Sequence, residues 1–512
     1  MTDRILIRTT GQTGPGISFV SVLSYGAVGN GTTDDTAAVQ AALDAIPATG
    51  GAVYFPTGTY LVTGVTVSNP TCLFGDGGDM TSFTTPAAPS QITCASATAT
   101  AVTIAAHGCS IEHLAIINTS GTTPTDGSAV LVTDGDGFRM FACSLVKFYD
   151  QLDIEQGRYG RVTDCHFFDS ARWGARLRNT AASQGDFGDH SFHGNTFCSL
   201  FTSRICTAAV QWESGGGLRF VNNKTNGNYN TLGQSQNVGL NVAVADGIST
   251  SVLNVIGNSF EGIESAGAPI VITQTGTGTG TFSKVVIVGN ETLSGSGIRV
   301  NGLQTGKLSN IVIADNVITS PSVGIYLNNC SNVTVGRNRI MSLATDAVAV
   351  EVNAGVTDYV IDEQMCDTER YQPLLDNSVS TTSHSRSGSA ASQHTRAIPS
   401  VTSSVTYVNL FTVQFNAYAG AVIDIELAGQ IAGVGGFSYK ASRCLVQGAT
   451  ATTPTLTTVG TDVATANAPT LSFDVASNQT VIVKVRLPGS GTDVFGLATM
   501  RITGNASRVF KS

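Results

Sequence analysis

FHGNTF (192–197), FVNNKT (220–225), VIGNSF (255–260), IVGNET (287–292), IADNVI (313–318) and VGRNRI (335–340) share one pattern, with Asn195, Asn223, Asn258, Asn290, Asn316 and Asn338 in the same slot. Apolar residues flank the slot in alternation, and Gly or Asp often stands just before it. Cys143 in FACSLV (141–146) and Cys165 in VTDCHF (162–167) occupy the equivalent place. From Cys143 onward the slots recur at intervals of 22, 30, 28, 35, 32, 26 and 22 residues. A sandwich or a closed barrel has no reason to repeat in this way. A parallel β-helix does, because each coil is a set of short strands and insertions enter as loops at the turns. The aligned asparagines are therefore expected to stack as a turn ladder, each amide bonding to its equivalent one coil away.

Upstream, VLSYGAVGNGTTDDTAAVQAALDAIPATGGAVYFPTGTYLVTG (22–64) places Ala38, Val39, Ala42, Leu43 and Ile46 on one helical face behind Thr33 and Asp34. The spacing predicts one capping helix with Asp34 and Asp35 at its N-cap, ended by Pro47 and Gly50-Gly51, then a strand in AVYFP. Residues 1–20 read as a short attachment arm and residues 21–375 as the β-helix. The Ser/Thr-rich stretch 376–398 reads as a linker. In 399–512, runs such as VTYVNLFTVQF, AVIDIELAGQIAG, TVIVKVRL and LATMRITG alternate as antiparallel strands of a small sandwich.

Composition agrees with an all-β chain. The 512 residues hold 57 glycines, only 12% are charged, and Lys+Arg 27 against Asp+Glu 36 leaves a net charge of −9. Mean hydropathy is +0.14. Bulk charge of this sign argues against a nucleic-acid partner. The start MTDRILIRTT has no apolar core of a signal peptide, and no apolar run is long enough to insert in a membrane. Ten cysteines without a CxxC pair read as buried reduced thiols.

The entry segment GAVGNGTTDDTAAVQAAL followed by GGAVYFPTGTYLV resembles that of the pectate-lyase-like right-handed parallel β-helix proteins found in bacteriophage tailspikes and capsule depolymerases. The resemblance runs on through the Asn-slot coils and into the terminal sandwich. It implies a homotrimeric spike, assembled in the host cytoplasm and mounted on a virion structural protein through the N-terminus. Such a spike binds, and often cleaves, bacterial surface polysaccharide. Family members differ in chemistry, and some only bind.

Candidate site residues follow from strand register. In GIYL, Ile325 and Leu327 point inward, so Tyr326 and Asn328 point outward. The same register makes Leu152, Ile154, Ala175, Leu177, Val210, Trp212, Leu240 and Val242 inward. One outward column then reads Asp153, Arg176, Gln211, Asn241, Val271, Arg299, Tyr326. The next reads Glu155, Arg178, Glu213, Ala243, Thr273, Asn301, Asn328. Five ionised residues on three successive coils stand out in a chain this poor in charge. Glu155 and Glu213 lie roughly 9.6 Å apart by strand spacing, and Asp153 and Glu155 about 6.6 Å. Both separations suit an inverting glycosidase. Glu155, Glu213 and Asp153 are thus the candidate acid and base, and Arg176, Arg178, Gln211 and Asn241 candidate substrate ligands. The competing reading is a salt-bridge ladder between coils. Trp173 and Tyr326, with Tyr149, Tyr159 and Tyr229, could stack on sugar rings. Asp186 and Asp189 enter from the loop TAASQGDFGDHSFHG, where His190 and His193 fall on opposite sides of a strand and make a poor metal pair. No metal or cofactor is expected, and the Gly-rich run at 276–280 lacks the helix a phosphate site needs. A polysaccharide depolymerase, hydrolase or lyase, is the leading function, and a spike that only binds polysaccharide is the alternative. A homotrimer is expected from the neutral and apolar surface that such a coil stack leaves uncovered, Val271 included.

Overall fold

The computed structural model describes residues 18–79, 87–178, 187–199, 206–213, 215–227, 236–261, 263–293, 296–319, 322–341, 348–361, 364–366 and 372–376, and beyond them the backbone of ten C-terminal strands between 391 and 511. The chain divides into two units, Met1–Val242 and Ala243–Ser512.

In the first unit each coil adds one parallel strand to each of three sheets, here called the first, second and third faces in chain order. The first face runs from Ser18–Ser21 to Leu218–Val221, the second from Asn30–Asp34 to Lys224–Gly227, and the third from Val65–Val67 to Gln236–Val244. Side chains alternate, and the inward set fills the coil: Leu152, Ile154, Ala175, Leu177, Val210, Trp212, Leu240 and Val242 are all buried. On the neighbouring strands Phe167 stacks on Phe197 with ring centroids 4.6 Å apart. Parallel coils joined by right-handed crossovers make this a right-handed parallel β-helix. Its first strand, Ser18–Ser21, starts inside the stretch read as an attachment arm.

The predicted helix is Thr36–Asp44, with Val39, Ala42 and Leu43 buried. It covers an otherwise open strand edge: the Gln40 amide accepts from Thr66 N at 2.9 Å and donates to Thr66 O at 3.0 Å, as a paired strand would. The aspartates divide their work differently from an N-cap pair. Asp34 accepts from Thr36 N, which fills the capping role. Asp35, though in the N-cap position, turns back and accepts from Val28 N and Gly29 N, holding the preceding turn.

The asparagine ladder is present. Asn195 donates its backbone N–H and its Nδ2 to Asn223 Oδ1, both at 2.9 Å, and Cys165 N donates to Asn195 Oδ1 at 2.9 Å. Seven of the eight slots follow a residue in the left-handed region, such as Asp164 (φ 51°), Gly194 (φ 69°) and Asn222 (φ 54°); Arg337, ahead of Asn338, is the exception. The Gly, Asp or Asn ahead of the slot is therefore the turn residue that tolerates this conformation.

The second unit, described by itself, has the same coil plan, with third-face strands from Ile263–Gln274 to Gln372–Asp376. Its ladder links Asn258, Asn290, Asn316 and Asn338, and ends on Gln364 Oε1, 3.0 Å from Asn338 Nδ2. Ile270, Ile272, Ile298, Val300, Ile325 and Leu327 are buried as expected, whereas Val271 is half-buried rather than exposed. The Gly-rich run is a turn bound to Asp246, which accepts from the backbone and hydroxyl groups of Thr277 and Thr279. Those bonds, the Thr277 backbone N–H first, pull the Asp246 carboxyl down to about 2. The C-terminal strands form two antiparallel sheets. One includes Ala391–Ala397, part of the stretch read as linker, paired with Val494–Gly504.

Among the described residues no helix is long and apolar enough to cross a membrane. Cys72, Cys94, Cys109, Cys143, Cys165, Cys198, Cys206 and Cys330 are free thiols, all buried except the half-buried Cys72. Burial pushes Cys198, Cys206 and Cys330 up to about 12.

Candidate functional site

The third face of the first unit assembles the predicted charged residues in the predicted register. Asp153 pairs with Arg176, Arg176 with Gln211, and Gln211 with Asn241. Glu155, Arg178 and Glu213 follow their strands at the next outward position, their backbone N–H groups bonded to Val132, Ile154 and Leu177. Gln211 Oε1 accepts from Asn241 Nδ2 at 2.7 Å, extending the polar strip one coil beyond the charges.

Each guanidinium reaches across the columns. Arg176 binds Glu213 through two bonds of 2.9 Å. Arg178 binds Asp153 through two bonds of 3.1 and 2.8 Å, and its Nη2 also touches Glu155 Oε1. All three carboxylates are thus ion-paired. Exposure separates them: the Asp153 side chain is 4% exposed and the Glu213 side chain 27%. Asp153 is thus the buried carboxylate of the cluster and Glu213 the most exposed of the three.

Two residues that sequence reasoning passed over complete the cluster. Asp150 starts the same strand, and Arg172 binds it through both Nε, at 2.9 Å, and Nη2. Burial pushes the Asp150 carboxyl above its ordinary value, against the lowering effect of Arg172. The Arg172 guanidinium also lies 3.7 Å from the centroid of Trp173 and 4.3 Å from that of Tyr149, and Arg176 lies 4.4 Å from Trp173. Two cations therefore already cover the indole expected to stack on sugar. Its Nε1 is buried without a hydrogen-bond partner among the described residues.

The remaining candidates are scattered. Asp189 is an exposed turn residue in the left-handed region (φ 57°), opening a first-face strand. Asp186 and Tyr229 lie outside the described residues. His190 is buried and His193 exposed, as their spacing requires. Burial, the dominant effect on His190, lowers it to about 4. In the second unit Tyr326 is half-buried under the Arg299 guanidinium at 5.9 Å, and Asn328 Nδ2 donates to Asn301 Oδ1 at 2.9 Å.

Residues 19–119 match the sequence model of the family described as rhamnogalacturonase A/epimerase, pectate lyase-like. Over 54 residues the chain is 50% identical to mannuronan C5-epimerase AlgE1 of Azotobacter vinelandii, a stretch that is 10% of this chain and 4% of that enzyme. The catalytic unit of a thermostable GH87 alpha-1,3-glucanase from Streptomyces thermodiastaticus matches with a TM-score of 0.52 at 18% identity, over 73% of this chain and 68% of that one. A variant tailspike protein of E. coli bacteriophage HK620 matches with a TM-score of 0.50 at 12% identity, over 94% and 93%. Identities this low show a common fold alone, the right-handed parallel β-helix.

Proposed function

We propose that the third face of this β-helix binds a polysaccharide and that the protein cleaves it. The observation that carries the reading is the concentration of Asp153, Glu155, Arg176, Arg178 and Glu213 on three adjacent strands, in a chain only 12% charged. Glu155 and Glu213 stand two strands apart, roughly 9.6 Å by sheet geometry, which leaves room for a water between acid and base. Glycosidic cleavage needs one protonated and one ionised carboxyl across the bond, and Glu213, the more exposed, faces the substrate side. Arg176 and Arg178 hold the carboxylates in place and offer donors to sugar hydroxyl or acidic groups. Gln211 and Asn241 extend the binding strip.

Complete ion pairing of the carboxylates favours a second reading, in which the face only binds. Incubating the protein with capsular polysaccharides of candidate hosts and sizing the products separates the two. Shortened chains with the wild type, and none with Glu213→Gln or Glu155→Gln, support cleavage at this site. Binding without shortening supports the second reading. Cleavage that survives Glu213→Gln, Glu155→Gln and Asp153→Asn singly removes the site assignment. The same reading makes the protein a homotrimeric phage spike, held to a virion through its N-terminal residues and closed by a C-terminal sandwich. Sedimentation as a monomer at micromolar concentration contradicts that assembly.

A further inference from the structure

A second outward column lies on the first face of the first unit, away from the carboxylate cluster. Arg139, Arg161, Ser191 and Arg219 are register partners on four successive strands, and all three arginines are exposed. On the third face Arg172, Arg176 and Arg178 are each tied to carboxylates. In contrast, Arg139, Arg161 and Arg219 have no ion-pair partner among the described residues. Arg139 and Arg161 are direct neighbours, about 4.8 Å apart at the backbone, where like charges repel. The acids around the column do not relieve this. Asp136 is engaged by Arg158, Glu112 and Asp164 sit at the far ends of these strands, and Asp189, exposed just ahead of the Ser191 strand, makes no ion pair with Arg161 or Arg219 among the described residues.

The next outward column supplies an apolar platform. Phe141, Thr163 and His193 are partners there; Phe141 is 40% exposed, and the His113 ring meets it edge-on at 5.3 Å. We propose that this strip binds an acidic polysaccharide, one whose units carry carboxylate or sulfate groups, laid across the strands. The strand repeat is close to the length of one sugar, so successive units meet Arg139, Arg161, the Ser191 hydroxyl and Arg219 in turn. A guanidinium fork matches a carboxylate or sulfate, and a sugar's C–H face rests on the Phe141 ring. An acidic glycan suits the strip better than DNA. A duplex carries one charge per about 1.7 Å, whereas a glycan with one acidic group per sugar spaces its charges near the strand repeat of about 4.8 Å. The strip is independent of cleavage at Glu155 and Glu213.

Affinity electrophoresis of the full chain through gels containing polygalacturonate, dextran sulfate or neutral dextran tests the proposal. Retardation by both anionic polymers and none by dextran is expected. The triple variant Arg139→Gln/Arg161→Gln/Arg219→Gln is expected to weaken that binding by about tenfold or more. A control that removes the same charge elsewhere, Lys284→Gln/Lys307→Gln/Arg337→Gln, is expected to retain it. Loss of retardation in the control to the same degree, no retardation of the wild type by either anionic polymer, or equally tight binding of a short DNA duplex overturns the proposal.

Discussion

Replacing Asn316 with Ala tests the ladder where its bonds are best defined. Asn316 is buried; its Oδ1 accepts from both Asn290 N and Asn290 Nδ2 at 2.9 Å, and its Nδ2 donates to Ile287 O at 3.0 Å and Asn338 Oδ1 at 2.9 Å. Alanine leaves the Asn290 backbone N–H without its acceptor and Ile287 O without that donor, both away from water. Asn290 Nδ2 keeps Val255 O, and Asn338 Oδ1 keeps Asn316 N, so those groups are spared. One orphaned buried donor and one weakened acceptor cost about 2–4 kcal/mol. Native-state hydrogen exchange at Asn290 and its strand neighbours should accelerate roughly 30-fold to 700-fold, since every 1.4 kcal/mol is a factor of ten. Asn254→Ala, at a half-buried position on the first face, should change exchange there by less than about 0.5 kcal/mol equivalent. Unchanged protection of Asn290 in Asn316→Ala would show that the ladder has slack, and the reasoning would fail.

Arg178→Met leaves Asp153 buried without its counter-ion and should lower the denaturant stability of the first unit by about 3–5 kcal/mol, while Arg178→Met/Asp153→Leu should recover most of the loss. Equal loss in the single and double variants would show that packing rather than charge is at stake. His190 is held neutral, lowered by burial to about 4 against an unfolded value near 6.5, so unfolding takes up a proton between those limits. Its contribution is complete above pH 6.5 and falls as pH drops toward 4, by about 2 kcal/mol at pH 5. His190→Phe should flatten that part of the stability profile measured from pH 7 to 5.

Much of the architecture was legible because a β-helix repeats its constraints. GIYL alone set the inward and outward columns, and pairing confirms them at Asp153, Arg176, Gln211 and Asn241 and again at Val271, Arg299 and Tyr326. Partner choice within the columns was not legible. Strand spacing places Glu155, Arg178 and Glu213 in line, but a guanidinium is long enough to cross columns and takes whichever carboxylate allows two parallel bonds. Arg176 therefore holds Glu213, and Arg178 holds Asp153. Asp150 was missed because it shares the parity of the inward Leu152, yet at the strand's start its carboxylate is met by Arg172 from the adjoining turn. The signal for the first-face arginines was available: Arg139, Arg161 and Arg219 each stand four residues before a slot, at Cys143, Cys165 and Asn223.

The ladder also makes the coil an interchangeable part. Each Asn offers the same acceptor to the coil before it and the same donors to the coil after, so any two slots can be neighbours without redesign of the junction. Excising the 26 residues from Asn290 to Asp315 would bring Asn258 against Asn316 with the same bonds that now join Asn258 to Asn290. Protein length then becomes a quantity set by the number of modules, adjustable by deletion or duplication between slots. The unequal intervals of the natural chain, from 22 to 35 residues, fit such a grammar, in which one corner keeps the count while the others accept what is inserted.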